Sequence, residues 1–184
     1  FPTVSSTYNS DEINFYQVTH LARVNTFSND EFLWSQNREK VKRQITDVML
    51  TEWPISKNLL CKRVLSSWNI SRLGTRISYH FQTLFDELGQ IPIKVGHREF
   101  FWPSADHLKG YKIYRISKND SEKRDPDDLP AEEVANALRE ILSHQISLSK
   151  ADLIREAGKL FGYARVGSNV EYAMLQGIEK AKEQ

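Results

Sequence analysis

The feature that most constrains the fold of this chain is an internal repeat. Aligned with itself at an offset of 93 residues and without a gap, the sequence has several identical pairs, among them Ser56 and Ser149, Lys57 and Lys150, Leu60 and Leu153, Arg72 and Arg165, Gly74 and Gly167, and Tyr79 and Tyr172. Apolar positions coincide as well, for example Trp68 with Phe161. Because a repeated unit is a supersecondary module used twice, the 184 residues predict two small units rather than one large core.

The first copy predicts three helices. Apolar residues recur at helical spacing over residues 36–52, and Pro54 ends this helix because the residue before a proline avoids helical geometry. Ser56 is expected to cap a second helix, and a third is expected between Thr75 and Gly89. The second and third helices together predict a helix-turn-helix.

A change of period follows the third helix. Residues 91–95 and 99–102 are two short β-rich runs around a glycine-containing turn, which predicts a hairpin, and residues 111–116 are a candidate third strand. Three helices followed by a hairpin is the order of a winged helix. The predicted fold class is therefore mainly α with a small β-hairpin wing, built as two tandem, winged-helix-like helix-turn-helix units.

The predicted domain organisation has four segments: an N-terminal arm or linker at 1–40, winged-helix unit 1 at 41–116, an acidic, proline-containing linker at 117–130, and helical unit 2 at 131–184. In the second unit, helices are expected near 131–144, 149–161 and 168–182. The chain opens on Phe1 rather than Met, so we expect a fragment of a longer protein, with no secretory leader.

Charge is distributed unevenly along the chain. The net charge is +1, but residues 46–118 carry eleven basic against six acidic groups, and residues 119–184 carry nine against thirteen. The first unit is therefore the one expected to bind a polyanion.

The inventory of reactive residues argues against an enzyme and against a cofactor or metal. The sequence has no phosphate-binding loop ending in Gly-Lys-Ser/Thr, and its five histidines show neither helical pairing nor cysteine partners. The lone Cys61 is expected to be buried filler in a reducing compartment, so a cytoplasmic location is predicted. No apolar run approaches the length that spans a bilayer, so no membrane association is expected.

Nucleic-acid binding is the chemistry that the repeated turn favours. The N-terminal end of the second helix of a helix-turn-helix enters the major groove, and its free N–H groups favour phosphate. The predicted contact residues are those at this end, along the exposed helix face, at the hairpin tip and in the second copy: Arg72, Thr75, Arg76, Tyr79, His80, Lys94, His97, Arg98, Arg165 and Ser168.

Structural roles compete with binding at several of these positions. Arg72 and Arg165 would equally serve to hold the turn by bonding to carbonyls or to an acid of the first helix. Thr75 and Ser168 are expected to be N-caps first, and Ser168 with Glu171 fits a capping box. Arg76 has no basic counterpart in the second copy and is the most function-specific of the set.

Several motifs resemble the uncharacterised domain at the C-terminus of very large bacterial superfamily-one helicases that also carry a Vsr-like endonuclease domain. The motifs are Glu52-x-Pro54-Ile55, Leu59-Leu60-x-x-Arg63-Val64, Arg72-x-Gly74-x-Arg76-Ile77, Phe101-Trp102-Pro103, Pro130-Ala131-Glu132-Glu133-Val134 and Arg165-x-Gly167-Ser168. The resemblance covers roughly residues 45–184 and implies an accessory module of a DNA-processing, phage-defence helicase–nuclease. It implies no catalytic residue within this chain.

The predicted function is thus a non-catalytic, duplex-DNA-binding accessory module whose further partners are the helicase and nuclease domains of the same protein. The alternative is a protein-interaction module that docks on those domains or dimerises. The two differ in salt behaviour, because phosphate contacts weaken steeply as salt rises whereas an apolar interface changes little.

Overall fold

The computed structural model describes residues 14–145 and 147–183, and it is mainly helical with a small three-stranded antiparallel sheet. Its α-helices are α1 (Arg38–Glu52), α2 (Lys57–Ser67), α3 (Thr75–Glu87), α4 (Ala105–Gly110), α5 (Ala131–His144), α6 (Lys150–Leu160) and α7 (Ser168–Lys182). The strands are β1 (Ile55–Ser56), β2 (Ile93–Val95) and β3 (Arg98–Phe101). The chain divides into two compact units, residues 18–104 and residues 14–17 with 105–183.

The helices of residues 18–104 begin and end where the sequence predicts. The α1 helix stops at Glu52, two residues before Pro54, and the Ser56 hydroxyl accepts a hydrogen bond from the Leu59 N–H at 3.0 Å to cap α2. Gly89 follows α3 with a φ of +64°, a left-handed conformation that glycine adopts without strain. These three helices are therefore set by local signals in the sequence.

An aromatic core holds these helices together. The Phe32 ring lies 5.4 Å from the Trp68 ring and 5.4 Å from the Phe81 ring, and the Phe85 ring lies 4.7 Å from that of Phe101. Aliphatic side chains of α1, α2 and α3 complete this core, and those with no exposed surface are Val41, Ile45, Val48, Leu60, Val64 and Leu84. One face of α3, with Phe81, Leu84 and Phe85, is therefore buried in the core.

The sheet confirms the predicted hairpin and corrects the third strand. Strands β2 and β3 pair as an antiparallel hairpin around Gly96, which has a φ of +62°. The strand on the other side of β3 is the two-residue β1, which gives the order β1-β3-β2. Residues 111–116, predicted as a strand, contain only one isolated bridge, from Ile116 to Phe15. An isolated two-residue strand between two helices carries too little periodicity to be read from sequence.

Residues 18–40 do not form a separate arm, in contrast to the prediction. The Thr19 N–H donates to the Glu52 carboxylate at 2.9 Å, and the Val24 N–H donates to the Ser67 carbonyl at 2.7 Å. Ser28 and Glu31 form a capping box at a 3-10 helix, Asn29–Leu33, which buries Phe32. Backbone hydrogen bonds to distant helices hold this segment, and such bonds leave no pattern in the sequence. Residues 1–13 of the predicted arm lie outside the described residues.

The second unit, residues 14–17 with 105–183, is built around α5, α6 and α7. Its core includes Val134 and Leu138 of α5, Ile154 of α6, and Val170 and Met174 of α7. The α5 and α7 helices approach closely at Gly177, because a Cβ at that position would lie 2.2 Å from the Val134 Cγ1. All three helices lie within one residue of their predicted bounds.

Residues 117–130 are packed rather than a free linker, which corrects the prediction. Glu133 is fully buried and accepts hydrogen bonds from the guanidinium groups of Arg115 and Arg124. Those two guanidinium groups lie over the Tyr16 ring at 4.9 and 4.2 Å. The Tyr163 hydroxyl donates to the Arg124 carbonyl at 2.8 Å. The hydrogen bonds of the buried Glu133 carboxylate, one of them from Arg124, therefore hold residues 117–130 against this unit.

The turns after α2 and α6 share one hydrogen-bond pattern. The Ile70 N–H donates to the Leu65 carbonyl at 3.0 Å, and the Tyr163 N–H donates to the Gly158 carbonyl at 2.9 Å. The residue that precedes each donor is left-handed: Asn69 has a φ of +57° and Gly162 a φ of +91°. Each turn leads to a helix that begins after a glycine.

Candidate nucleic-acid interface

The N-terminus of α3 is not capped by a side chain. Gly74 is the N-cap, and the first helical hydrogen bond runs from the Ser78 N–H to the Gly74 carbonyl at 2.9 Å. The same holds for α7, where Gly167 is the N-cap and no capping box forms between Ser168 and Glu171. Thr75 and Ser168 are therefore first helical residues rather than caps. The glycine before each helix accepts the first hydrogen bond through its carbonyl and has no side chain to satisfy the amides that remain.

Two guanidinium groups project beside this uncapped end. Arg76 is exposed, with 78% of its side chain accessible, and its Nη1 lies 3.6 Å from a carboxylate oxygen of the equally exposed Asp30. Arg72 is exposed, and within the described part of the chain it makes no ion pair or hydrogen bond. The structure therefore gives Arg72 no role in holding the turn. Both arginines remain accessible to an anion.

The exposed face of α3 continues at Tyr79 but not at His80. Tyr79 is 73% exposed. The His80 ring instead packs 5.6 Å from the Phe32 ring, and its buried Nε2 has no hydrogen-bond partner among the described residues. Burial, with a further contribution from the Arg38 charge, lowers the pKa of His80. His80 follows Ile77 by three residues and so lies on the inward side of the helix, which corrects its prediction as a contact residue.

The hairpin places two of its three predicted contact residues on the surface. Lys94 and His97 are exposed. Arg98 is only 4% exposed, and its guanidinium carbon lies 5.3 Å from the centre of the Phe100 ring. Because side chains alternate along a strand, Arg98 shares the inward face of β3 with Phe100, whereas Glu99 points outward to Lys57 at 3.3 Å. Arg98 is therefore a packing residue, contrary to the prediction.

The corresponding turn of the second unit is exposed but poorer in cations. Arg165 and Ser168 are both exposed, and Arg165 has no ion pair or hydrogen bond among the described residues. Asn169 occupies the position that Arg76 has in the first unit, and Glu171 lies in the first turn of α7. One cation here replaces the two at α3.

Two further basic residues were missed by the sequence reasoning. Arg23 lies in the segment that carries no readable pattern, and Lys62 lies on the exposed side of α2, where a single lysine is unremarkable. Both line cavities at the C-terminal end of α2. Only the folding of residues 18–29 against α2 reveals that they share one surface.

The described residues contain no group of three or more His, Cys, Asp or Glu side chains arranged to hold a metal ion. Cys61 is buried in the core of its unit, and burial raises the pKa of its thiol to about 12. A thiol in this environment stays protonated at neutral pH and is a poor nucleophile. None of the helices in the described ranges is long and apolar enough to cross a bilayer.

These observations define a mainly helical protein with a small antiparallel sheet and an exposed basic helix end. Residues 30–79 match the sequence profile of a family described as "Protein of unknown function (DUF3320)". The match covers α1, α2, the turn with Arg72 and Gly74, and the first residues of α3. No curated protein and no solved structure matches the chain.

Proposed function

We propose that this chain is a non-catalytic module that binds duplex DNA through the N-terminal end of α3. The observation that carries the proposal is the joint exposure of Arg72, Thr75, Arg76 and Tyr79 at a helix end that lacks a side-chain cap. Free N–H groups and guanidinium groups at a helix N-terminus suit phosphate and guanine edges. The opposite face of α3 is buried, so only this face is available to a ligand.

We also propose that residues 18–104 form a winged helix, an arrangement that would suit this docking mode. The element order is helix, strand, helix, helix and a two-stranded hairpin, and the sheet order is β1-β3-β2. In this interpretation α2 and α3 form the helix-turn-helix, α3 enters the major groove and α2 crosses the backbone. Lys94 and His97 on the wing would then add contacts to the adjacent backbone.

We further propose that the two units arose by internal duplication, and a common spacing of their elements supports this. The α2 and α6 helices begin at Lys57 and Lys150, and α3 and α7 begin at Thr75 and Ser168, which are all 93 residues apart. The left-handed residues Asn69 and Gly162 are separated by the same offset. We propose that α5, α6 and α7 form a second helix-turn-helix unit without a wing.

The parent protein that we propose is a bacterial helicase–nuclease active in DNA processing or phage defence in the cytoplasm. This part of the proposal rests on the resemblance of the motifs around Glu52, Arg63 and Arg72 to the C-terminal domain of such helicases. The helicase and nuclease domains of the same chain would be the further partners of the module.

The experiment that tests DNA binding compares two variants at equivalent positions. Arg76→Ala should weaken duplex binding by about 1–3 kcal/mol, whereas Asn169→Ala should leave it unchanged. Both residues are exposed, so neither substitution should alter the melting temperature. Fluorescence titrations of a short duplex at two salt concentrations measure the effect. Unchanged binding in Arg76→Ala, or equal losses in both variants, would refute the assignment.

The alternative function is a protein-interaction module. The observation in its favour is the large apolar side chain of Ile91, which is 85% exposed beside the wing. Binding that barely changes with salt, to a helicase or nuclease domain or to a second copy of the chain, would establish this alternative.

A further inference from the structure

Three adjoining cavities lie along α2 and the turn that follows it. A cavity of about 600 Å³ lies between α2 and residues 18–23, and a second of about 550 Å³ lies between α2 and the turn that leads to α3. A third, of about 270 Å³, is lined by residues 23–29. Asn69 lines all three cavities and Lys62 lines the first two, so they form one surface, here called the α2 groove.

The groove presents cations and no lining carboxylate. Arg23, Lys62 and Arg63 line it together with His20, and no Asp or Glu does. The Arg63 Nε lies 3.1 Å from Oε1 of the buried Glu52. The side chains of Arg23 and Lys62 are exposed to solvent. A groove with this composition favours a polyanion.

The walls of the groove are fixed before any ligand arrives. Glu52 accepts hydrogen bonds from the Thr19 N–H and from Arg63, and the Val24 N–H donates to the Ser67 carbonyl. These contacts join residues 18–24 to α1 and α2. A preformed groove binds without the entropic cost of ordering a loop.

A fully exposed aromatic side chain stands at one end of the groove. Phe27 lines the third cavity, and its side chain is completely accessible, at 106% of the reference value. Its backbone N–H donates to the Glu31 carboxylate at 2.7 Å, which fixes the position of the residue. A cationic groove with an exposed aromatic is typical of single-strand binding, because an unpaired base can stack on the ring. The bases of a duplex are already stacked on one another.

We infer that the α2 groove binds a single-stranded extension of the duplex that α3 contacts. Arg23 and Lys62 take successive phosphates, and Phe27 stacks on a base. The inference rests on the proposed function and deepens it: the substrate becomes a junction between duplex and single strand. The groove reaches Ser71 and Leu73, the neighbours of Arg72, so the two surfaces adjoin.

The test measures binding of the whole chain to two labelled DNAs by fluorescence anisotropy. One is a blunt duplex of about two helical turns, and the other carries a single-stranded extension of about ten deoxythymidines at its 5′ or its 3′ end. At least one extension should tighten binding roughly fivefold or more, the gain expected from one stacked base and two phosphates. It should also steepen the slope of log affinity against log salt by about 1.4, the value for two contacts to a single strand.

The variants separate the groove from α3. Phe27→Ala and the double variant Arg23→Ala/Lys62→Ala should lose the gain from the extension while binding the blunt duplex as the unmodified chain does. Arg43→Ala is the control, because it removes an equally exposed cation from the same unit outside the groove. Arg76→Ala should weaken both DNAs by the same factor.

Two outcomes would overturn the inference and leave duplex binding intact: a gain absent for both extensions, or a gain retained in the Phe27 and Arg23/Lys62 variants. Displacement of the extension by an acidic peptide as effectively as by free deoxythymidine strand would also overturn it, in favour of a protein partner. Absence of blunt-duplex binding with retained single-strand binding would instead refute the proposed function, and with it the junction substrate, and leave the α2 groove as a single-strand site only.

Discussion

At the scale of single residues, the contact between Arg76 and Asp30 sets a competition that can be measured. An exposed pair at 3.6 Å contributes little stability, so Asp30→Asn should fold as the unmodified chain does. Removal of the carboxylate frees Arg76 for phosphate and should tighten duplex binding by roughly two- to fivefold, a gain of about 0.4–1 kcal/mol. In the double variant Asp30→Asn/Arg76→Ala the gain should vanish. A gain that persists would mean that Asp30 acts on another cation.

His80 makes stability depend on pH with a defined sign. Because burial lowers its pKa in the folded state, the unfolded chain takes up a proton first as the solution is acidified. The stability that neutral His80 contributes is therefore fully present above the pKa of the unfolded chain, near 6.5. This contribution is lost as the pH falls from that value through the lower pKa of the folded state. Arg38, Glu87 and the Phe32 ring are the groups that surround the imidazole.

Thermal melts between pH 7.5 and 5 check this expectation. The unmodified chain should lose melting temperature on acidification, and His80→Leu, which cannot take up a proton, should lose less. His20→Asn, which removes an exposed histidine of the same unit, is the control. If the His80→Leu profile had the same shape as that of the unmodified chain, the acid sensitivity would come from elsewhere.

At the scale of elements, the contact between α5 and α7 predicts opposite effects of the same substitution at two helical glycines. Alanine is normally favoured over glycine inside a helix by about 1 kcal/mol. At Gly177, however, the new Cβ would lie 2.2 Å from the Val134 Cγ1 and 3.2 Å from a Val134 backbone atom, so the helices would have to separate. Gly177→Ala should therefore destabilise the unit by about 1–3 kcal/mol.

Gly158→Ala in α6 is the matched control for Gly177→Ala. Its Cβ would lie 3.4 Å from the Val170 Cγ1, an ordinary van der Waals contact, so this variant should be neutral or more stable. Urea unfolding compares the two midpoints. Equal midpoints would show that α7 shifts to accommodate the methyl group.

The elements also show which parts of the fold the sequence could predict. Helical periodicity, Pro54, Ser56 and Gly89 predicted α1, α2 and α3, because each of these signals acts within a few residues. The strand β1 and the packing of residues 18–29 could not be predicted, since both depend on partners more than thirty residues away. Ser56 is the strand partner of Phe100, and the Thr19 N–H donates to Glu52.

Within the candidate interface, the sequence predicted which side chains are exposed, but it did not predict that His80 and Arg98 pack inward. Arg76 and Tyr79 lie on the surface as the helical register predicts, and Arg72 is exposed in the turn before α3. The His80 side chain packs beside the Phe32 ring, and the Arg98 side chain packs beside the Phe100 ring. The sequence did not predict this packing, because histidine and arginine are usually found on protein surfaces.

At the scale of the whole molecule, the chain divides after Ser104 rather than at the predicted linker, and the charges divide with it. Residues 18–104 carry twelve basic and eight acidic groups, a net charge of +4. Residues 105–184 with 14–17 carry thirteen basic and fourteen acidic groups, a net charge of −1. The contrast is smaller than the one predicted from residues 46–118 and 119–184, but its direction is the same.

Arg72 and Arg165 each lie two residues before the N-cap glycine of a helix, α3 or α7, in units of opposite charge. Both are exposed and neither has a partner among the described residues, so Arg72→Ala and Arg165→Ala should each leave the melting temperature unchanged. If the +4 unit binds the duplex, Arg72→Ala should reduce the slope of log affinity against log salt by about 0.9, the value for one phosphate contact, and Arg165→Ala should not. Titrations over several salt concentrations give both slopes. If both variants lost the same amount of stability, the arginines would hold the turn in each unit. If both reduced the salt slope equally, both units would contact the DNA.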